Sequence, residues 1–305
     1  MILVTGASGF VGRHVTRDLA TDGPPVRAMV RDARGAAALE GVRCELVRGD
    51  VTDLASLRAA ARGVRTIVHL VAIVEGAPTK FERVMAAGTG NLVEAARESG
   101  VRRIVLMSAL GTGPSATVPY FRAKWAAEQA VGGSGIEHVV LRPSFVFGTD
   151  GGALPLFLRI ARLSPVTPVI GPGTQRVQPI WIEDVVRAVR LAVDGNAANG
   201  PVELGGPDTV TWNELWKRMK TALGTRRPAL NVPFWLARGP AALLERLPSP
   251  PLTRDQLRML EGPDNVVADG GASMQRLGLR DTVALDEQLR RAAKPQAQRP
   301  SMVDR

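Results

Sequence analysis

Short runs of aliphatic and β-branched residues alternate with stretches of helical periodicity through the first half of the chain: Ile2 to Thr5, Val26 to Val30, Cys44 to Val47, Thr66 to Leu70, Ile104 to Met107 and Val139 to Leu141. The runs are apolar at successive positions, not at every second one, which is the pattern of strands covered on both faces. Strand, helix and strand repeated with right-handed crossovers predict an α/β fold built on a doubly wound parallel sheet.

Beyond about Gly148 the rhythm loosens. Pro155, Pro165, Pro168, Pro172 and Pro179 interrupt short segments, because proline has no amide hydrogen to give to a ladder or a helix. A helix over Ile182 to Val193 is predicted to return toward the sheet, and another to begin near Trp212. The chain therefore divides into a first unit over residues 1–148, a smaller interleaved C-terminal substrate lobe over 149–293 with segments returning to the sheet, and a loose tail over 294–305. Stretch 233–247 is apolar and aromatic, with only Arg238, Glu245 and Arg246 charged, and Pro240 is expected to break a helix within it.

Composition narrows the class. With 305 residues, 45% of them hydrophobic, the chain can bury a sizeable core. Its single cysteine, Cys44, excludes an internal disulfide, and His14, His69 and His138 are too scattered to suggest a metal site. No run reaches the roughly 18 apolar residues that a membrane-crossing helix needs. The first strand follows Met1 directly, so a cytoplasmic location is expected. The net charge of +10 comes from 34 arginines and 5 lysines against 29 acids. Those cations are dispersed, so a nucleic-acid partner is not expected.

Candidate chemistry begins after the first strand. Thr5-Gly6-Ala7-Ser8-Gly9-Phe10-Val11-Gly12 joins a strand to a helix, the setting in which a glycine-rich turn receives a dinucleotide. Gly6 permits the tight turn, Gly9 lets backbone approach a pyrophosphate, and Gly12 lets helix and strand pack closely, with the helix N-terminus facing the phosphates. The only tyrosine, Tyr120, stands four residues before Lys124, on a helix that runs on to Glu128. That spacing puts both side chains on one helical face.

The spacing G-x-x-G-x-x-G with Tyr120-x-x-x-Lys124 resembles the short-chain dehydrogenase/reductase superfamily in its extended, epimerase/dehydratase-like and atypical branch. Gly49-Asp50-Val51, His69-Leu70-Val71-Ala72, Gly88 to Ala96, Met107-Ser108-Ala109 and Leu141-Arg142-Pro143 fall in that family's order. The resemblance implies a Rossmann domain holding a nicotinamide dinucleotide, with Ser8, Phe10 and Val11 in the turn. It places Asp50 and Val51 beside the adenine, Val71 and Ala72 along the ribose, and Pro143 near the nicotinamide. Val51 and Val71 read equally well as core residues.

It also implies a catalytic triad. Tyr120 would exchange a proton with a substrate carbonyl or hydroxyl, Ser108 would bond the same oxygen, and Lys124 would hold the nicotinamide ribose and help lower the Tyr120 pKa. Where relatives carry an asparagine ahead of the Gly-Thr pair, this chain has Met85, which cannot relay a proton.

Cofactor choice rests on the end of the second strand, Met29-Val30-Arg31-Asp32. Val30 stands where an acid would bind a ribose 2′-hydroxyl. Arg31, with Arg34 nearby, suits a 2′-phosphate, so NADP(H) is expected, with NAD(H) as the alternative through Asp32.

Further motifs are Pro119-Tyr120, Pro179 to Val185, Glu203 to Pro207 and Pro251-Leu252-Thr253-Arg254-Asp255-Gln256. Together with Met107 to Gly111 they resemble bacterial relatives of the large NADPH-binding accessory subunit of respiratory complex I. Two functions follow from these resemblances. One is an oxidoreductase, or an epimerase/dehydratase using the nicotinamide transiently, acting on a small-molecule carbonyl or hydroxyl. The other is a non-catalytic NADPH-binding accessory or assembly protein. Pro155, Leu156, Phe157 and Leu158 with Trp181 suggest an apolar mouth for a hydrophobic or quinone-like substrate, and they read equally as plain core. The aromatic start of stretch 233–247 on a basic chain suggests peripheral contact with the inner face of a membrane.

Overall fold

Alternating side chains of the apolar runs feed two separate cores, one on each face of a seven-stranded parallel sheet. In the computed structural model the first six strands are β1 (Ile2–Thr5), β2 (Val26–Val30), β3 (Glu45–Arg48), β4 (Thr66–His69), β5 (Arg103–Met107) and β6 (Glu137–Pro143). Ile2 and Val4 of β1 enter one core with Val68, Val105 and Val139, while Leu3 enters the other with Ile67, Ile104 and Val140. The structure describes residues 1–74, 76–197, 199–244 and 253–294. The expected tail from residue 295, residues 245–247 of the apolar stretch, and Pro251-Leu252 lie outside them.

Across the sheet the order is β3, β2, β1, β4, β5, β6 and then strand Gly200–Leu204, all parallel. The order reverses between β1 and β4, so their carboxyl ends open a crevice at the point where ligands bind in such sheets.

Helices α1 (Phe10–Leu19) and α2 (Ala33–Ala37) follow β1 and β2, and α3 (Leu54–Ala61) follows β3. Next come α4 (Pro78–Phe81), a π-helical segment Glu82–Ala87, α5 (Gly88–Glu98), α6 (Pro119–Gly132), α7 (Leu154–Leu163) and α8 (Ile182–Val193). Leu57, Leu92, Ala96, Ala127 and Val131 of α3, α5 and α6 cover one face, whereas Val15 and Leu19 of α1 and Val185 and Val189 of α8 cover the other. Arg190 of α8 is tied to the Asp18 carboxylate of α1 at 2.7 Å.

Strand Gly200–Leu204, which the sequence pattern did not reveal, pairs with β6 from beyond residue 149. The third strand runs one residue later than expected because it is an edge strand with exposed Glu45, Leu46 and Arg48, so its pattern carries little apolar signal. After α9 (Trp212–Ala222), capped by the Thr211 hydroxyl, come α10 (Phe234–Leu244), α11 (Arg254–Glu261), α12 (Ala272–Leu277) and α13 (Leu285–Ala293). Helix α10 continues through Pro240, contrary to the expected break. A small sheet pairs Thr167–Ile170 with Ala229–Val232 in parallel. No helix among the described residues is long and apolar enough to cross a membrane.

Candidate active site

Gly6, Arg31, Asp50, Val71, Ser108 and Pro143 all stand at or just past the carboxyl ends of β1 to β6, so the sheet collects them along one edge. Gly6 has φ +72°, and a Cβ there would lie 2.8 Å from the Leu70 carbonyl carbon. A Cβ on Gly12 would collide with the Gly6 carbonyl oxygen, whereas at exposed Gly9 only that same oxygen lies near, at 3.3 Å. Gly9 begins α1 without a side-chain cap, and the first turn carries no acidic residue. The helix therefore turns unneutralised N–H groups toward open space, which fits the pyrophosphate of a dinucleotide.

The Phe10 ring packs away from the turn, into the loop that follows β6. Gly148, Gly151 and Gly152 wrap its ring so closely that a Cβ on Gly148 would sit 2.7 Å from it. Asp150 in that loop closes the clasp, pairing with Arg13 at 2.9 Å and His14 at 3.0 Å on α1. Those two partners hold the Asp150 pKa low against the opposing effect of desolvation. Ser8 lies near α2, its hydroxyl 3.3 Å from where a Gly35 Cβ would stand, and Val11 is half-buried against the core.

At the adenine end Arg31 and Arg34 are exposed. Asp32 is engaged in capping α2, its carboxylate accepting from the Gly35 amide at 2.8 Å. The Asp50 carboxylate accepts from the Thr52 amide and hydroxyl, both at 2.8 Å. Its pKa is lowered: desolvation opposes the shift, and the Thr52 bonds and the charges of Arg31 and Arg83 outweigh it. Val51 is buried in the core with its carbonyl bonded to Asn91 at 3.0 Å, Val71 is half-buried, Ala72 is exposed, and buried Pro143 accepts from the Leu110 amide.

The catalytic end is dry. Tyr120 opens α6 half-buried against Phe81, Met85 and Ala123, with Phe81 and Phe121 edge-on to its ring at centroid distances of 6.2 and 5.3 Å. Desolvation pushes its pKa up to about 12. Apolar neighbours penalise the phenolate, so these surroundings act against the depression expected from Lys124 together with an oxidised nicotinamide. Lys124 is buried, and its ammonium donates to the Met107 carbonyl at 2.7 Å. Burial lowers its pKa to about 8, with the Glu128 charge acting in the opposite direction.

Ser108 is buried at the end of β5. Its hydroxyl donates to Glu128 Oε1 at 2.5 Å, and the Thr112 hydroxyl is the other near group, at 3.4 Å. Glu128, one turn beyond Lys124, also receives Arg142 through Nε at 2.9 Å and Nη2 at 2.5 Å. This buried carboxylate locks the ends of β5 and β6 to α6. The signal for it was present in the sequence, since Lys124 and Glu128 are also four apart, but its partner Arg142 comes from a different strand.

His69 is the second group that sequence reasoning passed over. It lies buried between Thr5, 2.6 Å from Nδ1, and Thr89, 3.0 Å from Nε2. The Thr89 hydroxyl donates to the Met85 carbonyl at 2.5 Å, so its oxygen accepts from His69 Nε2–H and the Thr5 hydroxyl donates to Nδ1. Burial, aided by the Lys124 charge, lowers the His69 pKa to about 3. The imidazole is therefore a neutral strut joining the glycine turn to the π-helical segment. Met85, which replaces the relatives' asparagine, takes part through its backbone carbonyl and packs its side chain beside Tyr120.

The proposed apolar mouth is also corrected. Trp181 and Leu158 are buried, and Phe157 packs among Phe147, Trp212 and Trp216; only Leu156 of that set is substantially exposed. Apolar side chains beside the candidate chemistry come instead from Ile73, Phe81, Met85 and Ala86.

Residues 6–156 match a family described as NAD(P)H-binding. The chain is 32% identical over 237 residues to a ceramide reductase of Caulobacter vibrioides, covering 76% of this chain and 74% of that protein. It belongs to the NAD(P)-binding extended short-chain dehydrogenase/reductase family. A second relative in that family is NADH dehydrogenase [ubiquinone] 1 alpha subcomplex subunit 9 of Arabidopsis thaliana, 30% identical over 294 residues, 90% of this chain and 73% of that one. Among solved structures, a dTDP-glucose 4,6-dehydratase of Streptomyces venezuelae with NAD bound matches with TM-score 0.76 and 23% identity, covering 96% and 95% of the two chains. This member of the extended family is accordingly an NAD(P)H-binding protein of the short-chain dehydrogenase/reductase kind.

Proposed function

We propose that the chain is an NADPH-dependent reductase of a carbonyl group carried on a hydrophobic molecule. The observation that supports this reading is the placement of the Tyr120 phenol, one turn before Lys124 at the start of α6 and half-buried among Phe81, Met85 and Ala123. A protonated phenol in a dry site is a general acid, the role a carbonyl needs when hydride reaches its carbon. The dinucleotide, when bound, supplies that hydride. Tyr120 donates the proton to the substrate oxygen, and Lys124 holds the ribose hydroxyls. Ser108, through Glu128, positions the end of β5 beside them. Buried Phe81 and Met85 exclude water from behind the phenol, and half-buried Ile73 and Ala86 favour a hydrocarbon-bearing substrate.

For the cofactor, Arg31 offers a guanidinium to a 2′-phosphate, while the Asp32 carboxylate is engaged by α2. Association with a membrane surface is part of the same reading, since a hydrophobic substrate is drawn from lipid. Similarity over 90% of the chain to the Arabidopsis respiratory subunit favours a second reading, a nucleotide-binding protein without turnover.

One experiment separates the two. NADPH oxidation is followed with a panel of long-chain ketones, 3-oxo acyl compounds and quinones, with wild type and Tyr120→Phe. Turnover that falls about a thousandfold in Tyr120→Phe, with NADPH affinity held within about twofold, supports the reductase. NADPH binding without turnover on any class supports the second reading instead.

A further inference from the structure

The largest exposed apolar side chains fall mainly in two segments that pack together. Leu156 and Leu163 of α7 are 40% and 68% exposed, Val166 39%, Leu230 61%, and Trp235 and Leu236 of α10 73% and 52%. The remaining two, Leu46 and Val74, lie elsewhere. Leu156, Arg159 and Leu163 are spaced three and four apart, so they share the outer stripe of α7, opposite buried Leu154, Leu158 and Ala161. The chain then turns through Val166 into strand Thr167–Ile170, where Pro168 stands beside Leu230 of the partner strand. Arg227 donates to the Ser164 carbonyl at 2.9 Å, which fastens the two segments. Leu230 is two residues before Val232, and Val232 with Ile170 packs on Ala237 of α10, so Leu230 lies on the face of this small sheet that carries α10.

Charge decides the occupant. Residues 154–170 and 225–238 contain five arginines, Arg159, Arg162, Arg226, Arg227 and Arg238, and no aspartate or glutamate. Arg159, Arg162, Arg226 and Arg238 are exposed. Arg238 pairs with Glu261 of α11 at 2.8 Å, which leaves Arg159, Arg162 and Arg226 as the exposed cations around these apolar tips. That combination matches the boundary of a bilayer, where acyl chains receive the tips and anionic headgroups receive the guanidinium groups. A nucleic acid would use the cations and leave Trp235, Leu230 and Leu163 in water. We propose that this face, formed by α7, the small parallel sheet and the start of α10, docks on the surface of a membrane containing anionic lipid. The proposal deepens the membrane part of the functional reading and is independent of whether the protein turns over.

Trp235 provides the test. Among the five tryptophans, Trp181, Trp212 and Trp216 are buried and Trp125 is half-buried. The full chain is mixed with phosphatidylcholine vesicles, with or without phosphatidylglycerol, some carrying brominated acyl chains, and both flotation and tryptophan quenching are read. Co-flotation with anionic vesicles, and quenching that disappears in Trp235→Phe, is the expected result. Trp235→Glu should weaken vesicle partitioning at least about tenfold, and Arg159→Gln with Arg226→Gln about tenfold or more on anionic vesicles only. Unchanged NADPH affinity in each variant shows that the fold is intact. Flotation without quenching at Trp235 would overturn the assignment, as would no flotation with either vesicle. A Trp235→Glu protein that changes from dimer to monomer by light scattering while vesicle binding is unaltered would give the face to a second copy of the chain. If docking fails while carbonyl turnover persists, only the surface assignment is lost.

Discussion

At the catalytic end of the dinucleotide cleft, His69, Tyr120 and Lys124 sit among apolar side chains, and the polar contacts of His69 and Lys124 are closed within the protein. At the adenine end, Arg31, Arg34 and Asp32 stand at the surface, and the charges they carry face water. The first end displaces its groups from their ordinary ionisation, upward for the phenol and downward for the lysine and histidine, because desolvation disfavours whichever form is charged. The second leaves its side chains exposed at the surface. Single changes are thus expensive at the first end of the candidate site and cheap at the second.

Acid should expose that contrast most strongly. The folded His69 pKa is about 3 against an ordinary 6.5, so below pH 6.5 the unfolded chain takes up a proton that the folded chain refuses. Stability contributed above pH 6.5 is therefore lost as pH falls toward 3, by about 5 kcal/mol in full. Urea unfolding at pH 7 and pH 4 should show a smaller acid loss in His69→Gln than in wild type. Equal slopes would mean that the strut does not carry the effect.

Next in size is Glu128→Ala, which leaves Arg142 and Ser108 facing an empty space where a carboxylate had bound both. Removing one partner of such a buried pair costs about 3–5 kcal/mol, readable as a fall in thermal midpoint. Glu128→Gln keeps the shape and should lose less, and its pH–rate profile should move to lower pH, since Glu128 supports the Lys124 charge. A profile that stays fixed would uncouple the two residues.

At the exposed end, Arg31→Ala should weaken NADPH about tenfold while leaving NADH within about twofold, and raised salt should narrow the difference. Equal losses for both nucleotides would remove Arg31 from phosphate recognition. Smallest of all, Asp32→Ala should destabilise by about 1 kcal/mol as a lost helix cap with no shift in nucleotide preference, measured by the same titration. A gain of NADPH over NADH there would show that the carboxylate does face the ribose.

The same contrast explains what the sequence could disclose. β1 and β2 appear at their full extent in the apolar runs because both faces of each strand are covered, and α8 is visible end to end because Val185, Val189 and Ala192 mark its buried stripe. The edge strand β3 blurs by one residue, and Gly200–Leu204, with Gly200, Pro201 and Glu203 among its five positions, carries too little apolar signal to be read as a strand. Site residues that belong to local motifs, the glycine turn and Tyr120 with Lys124, were legible. The Glu128–Arg142–Ser108 lock and the Thr5–His69–Thr89 strut were not, because their partners meet only after three or more elements have packed. For Trp181 and Phe157 the pattern left core and pocket open, since an aromatic in either looks alike before packing is known, and packing places both with the core.

The clasp of Gly148, Gly151 and Gly152 on Phe10, closed by Asp150 on Arg13 and His14, stitches the opening turn of the nucleotide fold to the chain that follows residue 148. A fragment cut at that position would lack the cover for its own first helix. A lobe grafted from a relative would have to bring matching glycines or find the ring in its way. The two halves therefore fit as a pair, sharing an aromatic key and the lock that holds it.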